Sequence, residues 1–238
     1  MSNTNLLSPL ELKGKKAKNR IVLPPLASRG ATQEGEVTED VIKQYTNRPE
    51  VGIVITEHSY VSAEGRVSEN QLGINDDKLI PGLEKLVKVI KENDSLAGIQ
   101  ITHGGSAARS KVIDRKALAP SAVPHPGRDI DEIPEAFTLD QLEELKESFV
   151  KAALRAQKAG FDFIELHGAH GYLLNQFLSP LTNQREDRYG GSFAARLQFP
   201  LEVVRAVREA VGQDYLIFYR LGCDDFLEGG LTVEDSKK

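Results

Sequence analysis

The sequence predicts an α/β chain whose parallel strands are joined by helices and arranged as part of a (β/α) barrel. Three observations carry this. Short β-branched runs alternate with helical stretches in the order β-α-β-α-β-α-β-α-β, the pattern of parallel strands linked by right-handed crossovers. The run Val51-Gly-Ile-Val-Ile lacks polar side chains, the habit of a strand buried on both faces. No Gly-x-Gly-x-x-Gly follows the first strand, so an open dinucleotide-binding sheet loses its main support and the barrel is preferred.

The strands are expected at Arg20–Leu23, Val51–Thr56, Leu96–Thr102, Phe161–Leu166 and Leu216–Leu221, each apolar-rich and most beginning beside glycine or a polar turn. Residues 1–18 ahead of them are read as an N-terminal hairpin or lid on a single domain spanning 1–238. Thr38 opens a short helix with Val41, Ile42 and Tyr45, and Leu83, Leu86, Val87 and Ile90 mark the next. In the clearest helix Leu139, Leu142, Leu145, Phe149, Ala153 and Ala156 share one face. Thr138 and Gln141 form its capping box and Gly160 its stop. The last long helix runs through Leu197, Leu201, Val204 and Val207 to Gly212, and Pro200 is expected to kink or restart it.

Composition bounds the function. With 40% hydrophobic and 27% charged residues, disordered, collagen-like and coiled-coil classes are excluded. No apolar run approaches the ~20 residues that cross a bilayer, and the N-terminus has no signal-peptide core. The single cysteine, Cys223, rules out an intrachain disulfide framework and fits a reducing compartment, so a cytoplasmic location is expected. Thirty basic residues against 35 acidic give a net charge of −5 without a basic block, which argues against nucleic acid. Neither nucleic acid nor membrane is an expected partner. The oligomeric state, homo-oligomer included, stays open.

In such a barrel the chemistry sits at the C-terminal ends of the strands. The unusual residues fall there: Pro24-Pro25-Leu26-Ala27 after the first strand, Glu57-His58 after the second, and Gln100 with His103 on the third. The fourth gives Glu165, His167, His170 and Tyr172, and the fifth Arg220. Glu165 and His167 share strand parity and so one face. A guanidinium inside a barrel needs an anion or an electron-rich ligand, and Gln100 offers the donor and acceptor that suit a heterocycle edge. A lone strand-end histidine such as His58 or His103 is more often structural. His167-x-x-His170 resembles a metal-ligand pair. Read from residues alone, a metal-assisted barrel hydrolase and a non-catalytic barrel fragment stay beside a redox enzyme as alternatives.

The stretch His167-Gly-Ala-His-Gly-Tyr-Leu-Leu-Asn-Gln-Phe-Leu-Ser-Pro-Leu-Thr-Asn-Gln-Arg-Glu-Asp-Arg-Tyr-Gly-Gly-Ser192 is far more specific. It resembles the signature of the old yellow enzyme family, FMN-dependent NADH:flavin oxidoreductases with a TIM-barrel fold. Lys18–Leu26, Gln100–His103 and Phe218–Arg220 resemble the family's first, third and fifth strands. The resemblance implies that Pro25, Leu26, Ala27, His58, Gln100 and Arg220 line the cofactor. It also implies that His167 and His170 hydrogen-bond a substrate oxygen and that Tyr172 donates a proton. Asn183, Arg185, Asp187 and Tyr189 are read as ordering the signature loop. The implied reaction takes hydride from NADH or NADPH through FMN to a small molecule with an activated double bond. Ala27 stands where many members carry threonine or cysteine, His58 where a small residue is usual, and Ser106 where an arginine often follows the third strand.

At roughly 45–50 residues per unit, eight units need about 350 residues against the about 250 of a compact barrel. The 238 residues are therefore expected to hold about five units. The loops after strands seven and eight, where barrel phosphate sites commonly lie, would fall outside them, and weak FMN binding by this chain alone is expected.

Overall fold

The computed structural model describes residues 5–126 and 132–238; residues 1–4 of the expected hairpin or lid lie outside them. A tight antiparallel hairpin pairs β1 (Leu10–Leu12) with β2 (Lys15–Ala17). β3 (Val22–Leu23) then leads through α1 (Glu39–Tyr45) to β4 (Ile53–Tyr60), and α2 (Ile80–Lys91) leads to β5 (Leu96–Thr102). The next crossover is longer. It carries α3 (Ser110–Ile113), a short parallel pair β6 (Leu118–Ala119) and β7 (Glu135–Ala136), and α4 (Leu139–Lys158). β8 (Phe163–Gly168), α5 (Leu173–Leu178), α6 (Phe193–Val211), β9 (Leu216–Leu221) and α7 (Val233–Ser236) complete the described elements.

Among the described residues the main sheet has five strands in the order β3-β4-β5-β8-β9, and every neighbouring pair is parallel. The spatial order follows the chain with no reversal. A doubly wound sheet reverses at a switch point, so these are five consecutive units of a (β/α) barrel wall.

The element ends have local causes. β3 starts two residues later than the expected Arg20–Leu23, because the Arg20 N–H donates to Leu6 O and the Ile21 N–H to Asn19 Oδ1. It ends at Leu23 as expected, where Pro24-Pro25 have no N–H to continue a ladder. β4 starts at Ile53 and runs on to Tyr60 because a distant segment supplies partners: the Tyr60 N–H donates to Leu72 O and the Ile74 N–H to Tyr60 O. β8 begins at Phe163 because Phe161 N–H still bonds back to Ala156 O at the end of α4. Asp162 is occupied otherwise. Its buried carboxylate accepts from Ala97 N–H (3.0 Å) and pairs with Lys15 (3.0 Å) and Lys91 (3.2 Å), tying hairpin, α2 and β5 together. α4 opens on the Thr138–Gln141 capping box. Pro200 corrects one expectation, because α6 runs unbroken through it. Its ring removes one backbone donor but is buried with Phe199, and that burial offsets the loss.

Two apolar layers set where chemistry can occur. The larger packs Ile99, Ile101, Ile164 and Leu166 of the sheet against α2, α4 and α6. The smaller lies on the opposite face, where Ala17, Ile53, Ile55, Phe163 and Leu216 gather with Leu10, Leu12, Leu96 and Phe218. The hairpin thus stops the N-terminal end of the barrel's inner face. Following the two-residue side-chain period up β5, β8 and β9, the inner face changes from this apolar floor to Gln100, Glu165, His167 and Arg220. Among the described residues no helix is long and apolar enough to cross a membrane.

Candidate active site

The signature turn leaves β8 at Gly168 and enters α5 through Tyr172, its N-cap. Between them His170 (φ 59°) and Gly171 (φ 67°) are both left-handed, which costs a non-glycine residue roughly 1–2 kcal/mol. Neighbouring side chains hold the turn. Asn175 Oδ1 accepts the Gly171 N–H at 2.8 Å, and Gln176 Nε2 donates to the carbonyls of Gly171 (2.6 Å) and Gly104 (3.0 Å). His125 Nε2 donates to the same Gly171 carbonyl at 2.9 Å. A Cβ on Gly171 would stand 2.6 Å from that Nε2, so glycine is needed for space as well as for backbone angle. The turn gathers the aromatic residues: ring centres lie 5.1 Å apart for His167–His170 and 4.7 Å for His167–Tyr172. His58 from β4 stacks on Tyr172 at 5.4 Å and meets His167 edge-on at 6.3 Å.

Below the rings, the register pairs Gln100 with Glu165 and His167 with Arg220. Gln100 Nε2 donates to Glu165 Oε1 at 2.7 Å. Burial raises the Glu165 carboxyl above its ordinary value, while the Gln100 hydrogen bond and the Arg220 charge pull it back. With one NH2 hydrogen donated to the carboxylate, Gln100 keeps its second N–H and its Oε1 acceptor for another partner. Arg220 has no carboxylate within 4.0 Å among the described residues, so its charge is left to act on Glu165 and on whatever enters the barrel mouth.

Two cavities flank the rings. One of about 560 Å³ is lined by His125, His170, Asn175, Arg220 and Gly222, among others. The other, of about 380 Å³, is lined by Ala27, His58 and Tyr172 together with Arg29, Arg109 and Lys111. The structure therefore brings His58, His167, His170 and Tyr172 into one cluster. It sets Ala27 beside them and Gln100 and Arg220 beneath. Pro25 and Leu26 line neither cavity; Leu26 is 57% exposed and its carbonyl accepts from Gln44 Nε2.

Three residues take part in ways the sequence did not indicate. His125 lies far from any strand end in the chain yet braces the signature turn. Gln71 fixes His58 with Nε2 contacts to its Nδ1 (3.0 Å) and its carbonyl (3.1 Å). Glu57 is buried, and its carboxylate accepts the Ser28 hydroxyl (2.6 Å), the Ser28 N–H (3.1 Å) and the Arg29 N–H. No periodicity marks such pairs. The visible signal was only a carboxylate on an otherwise buried strand end.

The loop-ordering reading of the signature has direct counterparts. Arg185 donates twice to Asp187 (2.6 and 3.0 Å) and reaches the carbonyls of Pro120 and Phe137. Asn183 Nδ2 donates to the carbonyls of Phe177 and Tyr189. Burial and the Glu202 hydrogen bond push the Tyr189 hydroxyl up to about 12. His103 is enclosed; Nδ1 accepts the Gly105 N–H, and burial pushes its imidazole from 6.5 down to about 4. Among the described residues no group of three or more His, Cys, Asp or Glu side chains could hold a metal ion.

Comparison with known proteins agrees with this geometry. The chain is 43% identical over 236 residues to an NADPH dehydrogenase of Bacillus cytotoxicus, covering 98% of this chain and 66% of that protein. It is 40% identical over 238 residues to an NADH oxidase of Thermoanaerobacter brockii, covering 98% of this chain and 36% of that one. The structure of old yellow enzyme from Pichia sp. AKU4542 superposes with a TM-score of 0.88 at 32% identity, over 98% of this chain and 64% of the other. The chain thus spans between about a third and two thirds of these relatives' lengths. A family profile matches residues 5–238 throughout, and the chain belongs to the NADH:flavin oxidoreductase / NADH oxidase family.

Proposed function

We propose that this chain forms the ring- and substrate-facing part of an FMN-dependent oxidoreductase that takes reducing equivalents from NADH or NADPH and reduces an activated alkene. The observation that carries this reading is the shared inner face of Gln100, Glu165, His167 and Arg220, with the Tyr172 turn above it. That donor set fits the cofactor. Gln100 Oε1 is an acceptor for a ring N–H, and the Arg220 cation, with no carboxylate within ion-pair distance among the described residues, suits the carbonyl-rich edge of a pyrimidinedione. When bound, FMN supplies the hydride-accepting and hydride-donating centre, the chemistry no side chain here can perform.

The remaining steps belong to the protein. Glu165 fixes the Gln100 amide so that its oxygen faces the ligand. His167 and His170 donate to a substrate carbonyl and draw charge toward its oxygen, an electrostatic role. Tyr172, 9% exposed and in ring contact with His58 and His167, holds a phenolic proton beside the second cavity and delivers it to the α-carbon as general acid. The enclosing rings limit water at that atom. Ala27 gives no side-chain hydrogen bond to the ring edge, so the electronic tuning falls to Arg220 and backbone.

The direct test is the absorbance spectrum of the purified protein with FMN. With FMN in excess of a weak site, a flavin band that shifts saturably on adding protein and that NADPH bleaches faster than free FMN is the expected result; an unshifted band bleached no faster than free FMN contradicts it. Tyr172→Phe should slow alkene reduction by about 10²–10⁴-fold while bleaching by NADPH continues. Equal loss of both half-reactions would remove the phenol from the proton-donor role.

A further inference from the structure

The smaller cavity has a feature that neither the hydride chemistry nor the proton donor uses. Ala27, His58 and Tyr172 form its inner end, and among the described residues Arg29, Arg109 and Lys111 line it with a single carboxylate residue, Glu69. Three cations against one acid stand out in a chain whose net charge is −5. They come from two segments: Arg29 from the loop after β3, and Arg109 and Lys111 two residues apart at the start of α3. Meeting of these two segments at one cavity focuses positive potential there.

The Arg29 corner is built at a cost. Arg29 has φ 55°, a left-handed backbone that costs an arginine roughly 1–2 kcal/mol. The buried Glu57 carboxylate pins it by accepting the Ser28 hydroxyl, the Ser28 N–H and the Arg29 N–H. Ser28 Oγ in turn accepts the Gly30 N–H at 3.0 Å. The anion is thus spent on backbone donors and leaves the Arg29 guanidinium for the cavity. Glu132, an acid beside the start of α3, is taken up by the hydroxyl and N–H of Ser110.

We infer that this cavity is an anion subsite, in which Arg29, Arg109 and Lys111 hold a phosphate or carboxylate carried by the molecule whose reactive end lies against Tyr172. The inference rests on the redox reading above and adds the ligand's second recognition element. Two sources share this chemistry: the phosphates of the nicotinamide dinucleotide, and an anionic group on the alkene substrate.

Calorimetry and kinetics on the same preparations test it. The wild type and an Arg29→Gln/Arg109→Gln/Lys111→Gln variant are titrated with 2′-phospho-ADP-ribose and with pyrophosphate at low and high salt. Flavin bleaching is then followed with NADPH and with the uncharged 1-benzyl-1,4-dihydronicotinamide, and reoxidation with matched enones bearing or lacking a carboxylate. The expected result is a rise of about tenfold in KM for the charged member of one pair, from about twofold per exposed cation. The uncharged member should be unchanged, and the salt dependence lost. An effect confined to NADPH and 2′-phospho-ADP-ribose assigns the subsite to the reductant; one confined to the carboxylated enone assigns it to the substrate. Equal changes for charged and uncharged partners, or none for any, overturn the subsite. If no donor bleaches flavin in the wild type, the redox reading falls. The calorimetry then decides the anion site alone: binding of pyrophosphate and 2′-phospho-ADP-ribose that the triple variant loses keeps it, and no binding rejects it.

Discussion

The turn after β8 and the loop after β3 deliver residues to the same cavity, Tyr172 from one and Ala27 with Arg29 from the other, yet they are held in opposite ways. The β8 turn is closed by its own continuation: Asn175 and Gln176 of α5 reach back to Gly171, and His125 adds one distant bond. The β3 loop is held more loosely: its following helix reaches it at two carbonyls, Leu26 from Gln44 and Gly30 from Thr38, and the buried anchor is Glu57 on the neighbouring strand β4. Leu26, Ala27 and Arg29 are exposed. A group that must hold a proton at one atom benefits from the first arrangement. Residues that meet the variable end of a ligand can use the second. The difference teaches which part of the site is fixed by the strand–helix turn and which can change among relatives without disturbing it.

Breaking the rigid side should have the largest effect. Gly171→Ala forces an alanine to φ 67° and sets its Cβ against His125, so a loss of about 3 kcal/mol is expected from left-handed strain and a displaced hydrogen bond. Urea denaturation measures it. A loss below about 0.5 kcal/mol would mean that the turn is not over-determined.

His103 supports the same side, since its carbonyl accepts the Leu173 N–H at the start of α5. Its imidazole is held near 4 against 6.5 by burial. The unfolded chain therefore binds a proton that the folded chain refuses, and the stabilisation is complete above pH 6.5 and falls away as pH drops toward 4. Between pH 7 and 4.5 a shift of that size changes stability by roughly 2–3 kcal/mol. Glu57 and Glu165, both raised by burial, act in the opposite sense over the carboxylate range. Stability curves of the wild type and His103→Gln between pH 7 and 4.5 should diverge, with the variant less acid-sensitive. Parallel curves would reject the assignment.

On the adaptable side, Glu57→Ala leaves the Ser28 hydroxyl and two backbone N–H groups without their acceptor. About 2 kcal/mol is expected, with proteolytic nicking near residues 26–31 rising while the 167–172 turn stays protected. Simultaneous exposure of both segments would show that they are one cooperative unit.

The contrast also explains what was legible in the sequence. The strands Leu96–Thr102 and Leu216–Leu221 match residue for residue, because each is a compact, mostly apolar run whose ends coincide with those of one neighbouring strand, β4 and β8 respectively. Parity correctly set Glu165 and His167 on one face, since nothing in β8 interrupts the alternation. The end of β4 was not readable: Glu57-His58-Ser59 looks like a polar exit, and the partners that prolong it sit at Leu72 and Gly73. β6 and β7, two residues each, are too short for any period. His125 and Glu57 escaped for the same reason. Their partners lie 46 and 29 residues away, and only the closed fold makes them neighbours.

The smallest effect isolates the outer tether itself. Thr38 both caps α1, accepting the Val41 N–H at 3.4 Å, and donates its hydroxyl to the Gly30 carbonyl beside Arg29. Thr38→Ala removes both bonds for about 1 kcal/mol, and Thr38→Ser keeps both. If the Thr38 tether holds the β3 loop, hydrogen exchange near residues 28–31 should quicken in the alanine variant and recover in the serine one, with exchange in α5 unchanged. Because the hydroxyl touches neither cavity, an altered affinity for an anionic ligand in Thr38→Ala would have to come through the placement of Arg29. An unaltered affinity alongside faster exchange would mean that Arg109 and Lys111 hold the anion without it.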